Sequence, residues 1–286
     1  MDKKRLIVWG GLAVVLMGGL ILYLLKPKLL QVVSNKSFEF VEKNISGRVI
    51  TSEPLRKDED DENAFLSVNG VIEETNRNRR EAGLPELKKN ASLGISAQKK
   101  VDDMFSRQYF EHDAPTGEGA GDLVNDTGYE FIVVGENLAL GNYKNDMTLV
   151  KAWMDSPGHR ENILKESYLE IGVAVAKGVF EGKETWLAVQ HFAKPMSSCP
   201  QISVFLKGQI DKNNAELDVM KAELETRKKE LEENKPTNRE EGEEYNKKVD
   251  EYNNLVNSYN SLLATTKELI ANYNSQVSSF NACAKS

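Results

Sequence analysis

The chain has 286 residues, 40% of them hydrophobic, so it is long enough for one or two domains with a real core. Its formal net charge is −7 at pH 7, and basic residues form no stripe outside the extreme N-terminus. Binding to nucleic acid needs Lys and Arg clustered against phosphates, so this composition argues against a nucleic acid as a partner.

The first 28 residues have the pattern of a membrane anchor. The run Leu6–Leu25 is uncharged and mostly apolar, and about 20 such residues span the hydrocarbon core of a bilayer. A cleavable signal peptide has a shorter apolar run and a small-residue cleavage site after it. More basic residues precede this run, at positions 3 to 5, than follow it, at positions 26 and 28. We therefore predict a single-pass signal anchor in residues 1–28, with a cytoplasmic N-terminus and an extracytoplasmic remainder.

Residues 29–62 are predicted to be a linker. They end in the charged run Lys57–Glu62, with the sequence KDEDDE, which is typical of a solvated connection. The stretch before this run has a mixed composition and indicates no particular element.

Residues 63–195 are predicted to form a compact α+β domain. Apolar residues recur at helical spacing from Phe65 to Ile72 and again from Leu93 to Phe105. A Gly- and Asp-rich loop at 117–128 precedes a third predicted helix at Asp146–Met154. Two apolar runs, 171–176 and 186–192, are joined by turn residues and indicate a β-hairpin. Helices followed by a hairpin favour the α+β class.

Residues 199–286 carry two heptad series separated by a polar break. Apolar residues lie at heptad spacing from Leu206 to Leu231, and a second series from Tyr245 to Phe280 alternates steps of four and three. The break at 236–242 is marked by a proline and a glycine. Two such helices are expected to fold back on each other as an antiparallel coiled-coil hairpin.

The two cysteines of the chain stand at the two ends of this predicted hairpin. Cys199 precedes the first heptad series and Cys283 ends the second, and position 241, midway between them, falls in the break. A hairpin that turns there brings both ends together. We therefore predict a Cys199–Cys283 disulfide, which also fits an extracytoplasmic location.

The residues that could take part in catalysis or metal binding lie in the predicted α+β domain. His112 follows the second predicted helix, Glu136 lies between glycines in VVGENLALG, and His159 follows a Ser-Pro-Gly turn. Imidazole and carboxylate groups serve in general acid–base catalysis or as zinc ligands. None of them has a local metal-ligand spacing such as HExxH, so a structural role for each histidine stays open at this point.

Six stretches of this domain, taken in order, resemble the bacterial branch of the CAP superfamily. This superfamily is named for cysteine-rich secretory, antigen 5 and pathogenesis-related proteins, and its unit is also called the SCP domain. The stretches are VNGVIEETNRNRREAGLPEL, DMFSRQYFEH, VGENLALG, WMDSPGHRENIL, YLEIGVAVA and WLAVQHFA, over about 130 residues. The resemblance covers neither the predicted anchor, nor the linker, nor the coiled coil.

The resemblance implies an α-β-α sandwich with a shallow central cleft. In the family, two histidines and two acidic residues converge on that cleft, and some members bind a divalent metal there. Carried over by motif, His112, Glu136 and His159 match three of these four positions. The resemblance therefore implies a three-residue site that could hold a divalent metal such as zinc, and no other cofactor.

The chain also departs from the fuller family pattern. Where many eukaryotic members have a second glutamate, three residues after the tryptophan, this chain has Ser156. Asp155 or Glu161 are possible substitutes, and Ser156 is itself a possible nucleophile beside His159. His191 lies on a predicted strand and is interpreted as structural.

Two functions are compatible with these features. The favoured one is a membrane-anchored binding module for a cell-envelope or lipid ligand, with the coiled coil as a spacer or as an arm for a protein partner or for self-association. The alternative is a metal-assisted hydrolase that cuts peptide or cell-wall bonds with His112, Glu136 and His159. Resemblance to the family does not choose between them.

Overall fold

The structure, a computed structural model, describes residues 47–57, 61 and 63–285. The predicted anchor Leu6–Leu25 and most of the predicted linker lie outside these residues. No helix within the described ranges has the length and apolar character needed to cross a bilayer. The described residues fall into two compact units: residues 47–200 together with 282–285, and residues 201–281.

The first unit has five helices, and three of them begin where a polar side chain caps a free backbone amide. The Oγ of Ser67 accepts a hydrogen bond from the amide of Gly70, and Asn90 and Asn145 cap two later helices in the same way. The second helix ends at Gln108, which adopts a left-handed conformation with φ 53°. The helices are α1 (Val68–Glu81), α2 (Ala91–Arg107), α3 (Ala120–Asn125), α4 (Asp146–Asp155) and α5 (Pro157–Ile163).

One sheet runs through this unit, and its centre is antiparallel. Its strands are β1 (Arg48–Thr51), β2 (Leu55–Arg56), β3 (Lys88–Lys89), β4 (Phe131–Leu140), β5 (Glu170–Phe180) and β6 (Lys183–Pro195). The order is β1-β4-β6-β5-β3, and β2 also pairs with β4. The predicted hairpin is confirmed as β5–β6, and its turn residues Glu181 and Gly182 both have positive φ, as a tight hairpin turn requires.

Helices cover both faces of this sheet, so the unit is the α-β-α sandwich that the resemblance implies. On one face, Val71, Leu149 and Trp153 of α1 and α4 pack in one apolar cluster with Phe192 of β6. On the other face, helix α2 packs against β4, β5 and β6 through a second apolar cluster, the α2 cluster. Because β4 is also paired along both edges, every one of its residues is buried. The α2 cluster contains Ala97, Val101, Met104, Leu138, Ala174, Leu187 and Val189.

The described part of the predicted linker differs from that prediction. Residues 48–51 and 55–56 are strands, and both run parallel to β4 along one edge. Lys57 then donates hydrogen bonds to Asp61, at 2.6 Å, and to the carbonyl of Asn142, at 3.1 Å. This stretch therefore belongs to the sheet of the first unit, and residue 63 is not where the fold begins.

The second unit consists of two long helices that pack along their length. Helix α6 spans Val204–Glu233 and α7 spans Arg239–Lys285. Leu206 and Ile210 share an apolar cluster with Tyr273, whereas Leu217 and later residues of α6 share one with earlier residues of α7. The helices therefore run in opposite directions. Gly242, predicted to lie in the break, lies instead in the first turns of α7.

The predicted disulfide is confirmed. Cys199 and Cys283 are joined, with their Cα atoms 5.6 Å apart, and the bridge closes a sequence separation of 84 residues. Neither cysteine of the chain is a free thiol.

Candidate functional site

The candidate site is built around Glu136 in the middle of β4. In the sheet, Glu136 lies opposite His191 of β6 on one side and opposite Thr51 of β1 on the other. Its side chain has no exposed surface. A buried carboxylate is costly unless it is paired and hydrogen-bonded, so its partners determine whether this position is stable.

Two histidines pair with the two oxygens of this carboxylate. His112 Nδ1 lies 2.6 Å from Glu136 Oε1, and His191 Nε2 lies 2.8 Å from Glu136 Oε2. Burial opposes ionisation of Glu136, but these two hydrogen bonds outweigh it and hold the pKa of the carboxyl at about 2. Glu136 is therefore an anion at any physiological pH.

His112 is held as a donor through both of its ring nitrogens. Its Nε2 contacts the main-chain carbonyl oxygen of Ser52, which can only accept a hydrogen bond, and its Nδ1 faces the carboxylate. Burial would lower the pKa of His112, but the hydrogen bond to Glu136 raises it above its ordinary value. Because an acceptor faces each ring nitrogen, the geometry favours the imidazolium form of His112 beside the carboxylate. The His112 side chain is 14% exposed, so the site reaches solvent through this residue.

His191 extends the network into the core and not toward solvent. Its Nδ1 lies 2.7 Å from the Oγ of Ser96 on α2, and the same Oγ lies 2.9 Å from the carbonyl oxygen of Leu93, so the one hydroxyl hydrogen serves only one of these two contacts at a time. Ser96, His191 and Glu136 follow one another as in a hydrolase triad, but all three are fully buried. No substrate can reach Ser96, so this chain of hydrogen bonds positions Glu136 and does not make a nucleophile.

His159 lies apart from the carboxylate. Its Nδ1 is 2.8 Å from the Oγ of Ser156, the residue that precedes α5, and the side chain is almost completely buried. Burial, together with repulsion from the charged His112, lowers the pKa of His159 to about 4. Its Nε2 has no hydrogen-bond partner among the residues that the structure describes. His159 is therefore a neutral imidazole at pH 7, and its buried Nε2 makes no hydrogen bond to the described residues.

A layer of buried amides ties this part of the fold together. Asn137 donates to the carbonyl of His159 at 3.2 Å and to Gln190 at 3.1 Å, and Gln190 donates to Thr75 at 2.8 Å. Asn162 donates to the carbonyl of Glu136 at 3.2 Å. The amides link β4 to β6, α1 and α5, so they fix the strand that carries the carboxylate.

A buried lysine positions the loop of His112. Lys100 of α2 has no exposed surface, and its Nζ donates to the carbonyl of His112 at 2.6 Å and to the hydroxyl of Tyr109 at 3.2 Å. Burial lowers the pKa of this lysine. Its cation compensates part of the negative charge of Glu136.

The three predicted site residues are only partly brought together. The structure joins His112 to Glu136, but the second partner of Glu136 is His191, which the sequence analysis interpreted as structural. The position of His191 directly across the sheet from Glu136 is what brings them into contact. Only the register between β4 and β6 could have identified His191 as a partner of Glu136. That register can be predicted only when the two strands are aligned with each other.

The donor set in this arrangement does not fit a metal ion. Both nitrogens of His112 donate, so this ring has no lone pair free for a metal, and each oxygen of Glu136 already accepts a hydrogen bond from a histidine. Within the described ranges, no three or more His, Cys, Asp or Glu side chains are placed to hold one. The zinc site at His112, Glu136 and His159 therefore stays a prediction, and in this arrangement His112 would first have to release a hydrogen bond to bind a metal. Asp155 pairs with Lys151 and does not replace the missing glutamate.

Comparison with known proteins gives a family match for the same part of the chain. Residues 72–192 match the family model CAP, described as the cysteine-rich secretory protein family. YkwD, an uncharacterized protein of Bacillus subtilis, is 39% identical over 116 residues, which are 41% of this chain and 43% of YkwD. YlbC, an uncharacterized membrane protein of the same organism, is 30% identical over 105 residues, 37% of this chain and 30% of YlbC. The chain thus matches less than half the length of these curated relatives.

Two solved structures are similar to part of this chain. An extracellular protein containing a SCP domain from Bacillus anthracis is 28% identical with a TM-score of 0.38, covering 44% of this chain and 40% of that one. A cysteine-rich secretory protein from Staphylococcus aureus is 25% identical with a TM-score of 0.34, covering 44% of this chain and 38% of that one.

We predict that Glu136→Gln lowers the free energy of unfolding by roughly 3 kcal/mol, because it leaves buried histidines without their anionic partner. The pKa of His112 should fall at the same time, since its raised value depends on the carboxylate. Urea unfolding and NMR titration of the imidazoles measure the two effects. Glu130→Gln at the exposed start of β4 is the control and should change stability by less than about 0.5 kcal/mol. Equal effects of the two substitutions would contradict this account of Glu136.

We also predict that His159 titrates with a pKa of about 4, well below an ordinary histidine. Unfolded, His159 would take up a proton near pH 6.5, so its neutral burial contributes stability that is present above pH 6.5. That contribution should decline as the pH falls from 6.5 toward 4. NMR titration of the His159 imidazole checks the value, with His112 in the same spectrum as the control that titrates higher. A His159 pKa near 6.5 would show that it is exposed.

Proposed function

The chain belongs, through residues 72–192, to the CAP family, and from this premise we propose that it is a membrane-anchored, extracytoplasmic binding module. Its CAP cleft would hold a ligand of the cell envelope, and the helices α6 and α7 would form a coiled-coil hairpin that acts as a spacer or docking arm.

The observation that supports this proposal is that the polar side chains of the site already hydrogen-bond to one another. The carboxylate of Glu136 is fully engaged by His112 and His191, so it cannot take a proton from a substrate without breaking a buried ion pair. A general base needs a pKa near the working pH, whereas the pKa of Glu136 is held at about 2. What the site offers instead is the partly exposed, cationic His112, whose Nε2 donates to the carbonyl of Ser52, an acceptor that a ligand could replace. Such a group suits recognition of a carbonyl or an anion.

The alternative of a hydrolase has less support. The metal-assisted form would need ligands that are already engaged within the site. A serine mechanism at Ser156 has the required contact to His159 Nδ1, but the other nitrogen of that ring faces no carboxylate. Without an acceptor to orient the ring, Ser156 lacks the third member of a triad. We therefore do not assign a hydrolytic reaction to this cleft.

An extracytoplasmic location is supported by two independent features. The uncharged run Leu6–Leu25 has the length of a membrane span, with more basic residues before it than after it. The Cys199–Cys283 disulfide is of the kind that persists in oxidising compartments. YlbC, which is 30% identical to this chain over 105 residues, is described as a membrane protein.

The role proposed for α6 and α7 follows from their length and their packing. Helix α7 has 47 residues and is therefore about 70 Å long at 1.5 Å per residue. The two helices bury heptad positions against each other, and polar pairs such as Arg227–Glu251, at 3.3 Å, join them at the surface. A hairpin of this length suits a spacer or an arm that presents a long face to a protein partner.

Ligand binding can be tested with the full-length chain in detergent, using peptidoglycan sacculi and lipid vesicles as separate probes. We expect saturable binding to one of them. His112→Ala should weaken it at least tenfold, about 1.4 kcal/mol, because the imidazolium that would donate to the ligand in place of the Ser52 carbonyl is lost. Lys151→Ala, which removes an exposed cation of α4 in the same domain, is the control and should bind like the wild type. Binding to neither probe, or equal loss in both variants, would contradict the proposed cleft.

The proposed topology can be tested by thiol labelling of intact cells. The native cysteines are paired, so one introduced cysteine is the single reactive thiol. Lys151→Cys, whose side chain is 71% exposed, should react with a membrane-impermeant maleimide in intact cells. Asp2→Cys, on the proposed cytoplasmic side, should react only after the cells are permeabilised. The reverse pattern would refute the orientation.

A further inference from the structure

The strands β1 and β2 lie outside the residues that match the CAP family, yet they cover the candidate site. We call residues 48–56 the strap. Its residues 48–51 run parallel to residues 133–136 of β4, and its residues 55–56 run parallel to residues 139–140. The other edge of β4 is paired with β6. Without the strap, β4 would be an edge strand with a row of unpaired amides and carbonyls, which is a template for another strand.

The strap contacts the candidate site through the residues between β1 and β2. There the carbonyl oxygen of Ser52 accepts a hydrogen bond from His112 Nε2. On the opposite side, a Cβ added to Gly158 would lie 2.7 Å from Ser52 Cβ, so only glycine allows α5 to come this close. The one partly exposed histidine of the site therefore donates to the main chain of the strap, which occupies the position of a ligand.

The strap is held mainly by its backbone and by few side chains. Arg48, Val49 and Thr51 are exposed, whereas Ile50 and Leu55 are half-buried and pack against the apolar core. Arg56 adds cation–π contacts to two aromatic rings, at 5.2 and 5.7 Å. Main-chain pairing with two aliphatic anchors is how extended peptides bind to sheet edges, and it tolerates many sequences.

The strap fits its own groove imperfectly at one position. The Oγ of Ser52 is buried and has no hydrogen-bond partner among the described residues. A buried hydroxyl without a partner is unfavourable compared with an apolar group of similar size. A strand with alanine at this position would avoid that cost, so a competing segment can bind more tightly than the strap does.

We propose that the CAP cleft of this protein binds an extended polypeptide strand of a partner protein, added parallel to β4, and that the strap is its intramolecular competitor. The inference rests on the proposed binding function and names its ligand class. The bound strand places an aliphatic residue at the position of Ile50 and another at that of Leu55. It has a small apolar residue at the position of Ser52, and a carbonyl oxygen there accepts from His112 Nε2.

The test uses the full-length chain with the strap weakened. Ile50→Pro with Thr51→Pro removes two adjacent amides, one of which faces β4, because successive residues of a strand point their amides to opposite sides. Ile50→Val with Thr51→Val keeps both amides and is the matched control. The probe is a fluorescent peptide with the strap sequence GRVITSEPLRK, together with a version carrying S52A and a scrambled version.

We expect the proline variant to bind the strap peptide at least tenfold more tightly than the valine control does. The S52A peptide should bind more tightly again, and the scrambled peptide should not bind. Amide hydrogen exchange of β5 and β6 verifies that the proline variant is folded. If it is not, Thr51→Pro alone is used in the same comparison. A folded proline variant that binds no peptide, or that binds the scrambled peptide equally well, overturns the inference.

The same variants separate this inference from the function on which it rests. A folded proline variant that binds sacculi or vesicles but not the peptide leaves the envelope-binding module intact and overturns the polypeptide ligand. A proline variant that binds the peptide but no envelope fraction supports the polypeptide site, although the proposed envelope ligand is then wrong.

Discussion

The first unit depends on one buried ion pair, that of the Glu136 carboxylate with the imidazolium of His112. A charge with no exposed surface costs several kcal/mol unless it is fully compensated, and here His191 supplies the second hydrogen bond. The three residues come from β4, from the loop after α2 and from β6. Correct pairing of the charge therefore requires that all three segments are in register. Lys100 fixes the loop, and Asn162 fixes the strand from the opposite side.

Much of the fold could be predicted from the sequence. In most helices the buried residues recur at helical spacing, and the β5–β6 hairpin has recognisable turn residues between its two apolar runs. Strand β4 could not be predicted, because it is buried on both faces and both edges and so lacks an apolar–polar alternation. The strap was missed for the opposite reason. Its side chains are largely exposed and its contacts are made by the main chain, on which the sequence carries almost no information. The disulfide was predictable because both cysteines stand at the ends of a symmetrical pair of heptad series.

The candidate site could be predicted only in part. Sequence motifs indicate His112, Glu136 and His159, but hydrogen bonding decides their chemistry. Glu136 and His112 neutralise each other, whereas His159 stays neutral beside Ser156. A motif specifies residue types and approximate positions, and it does not specify which lone pairs are already in use. For this reason a resemblance that implies a metal site is compatible with a cleft whose donors are engaged.

The disulfide has a consequence for how the chain responds to proteolysis. Residues 234–238 join α6 to α7 and form an exposed connection far along the sequence from either cysteine. A protease that cuts there breaks the backbone but leaves the C-terminal fragment attached through Cys283 to Cys199. Such a cleavage would change the mass of the oxidised protein only by the mass of one added water. The fragment bearing α7 loses its covalent tether only when a reductant is also present, so cleavage and reduction act together on the arm.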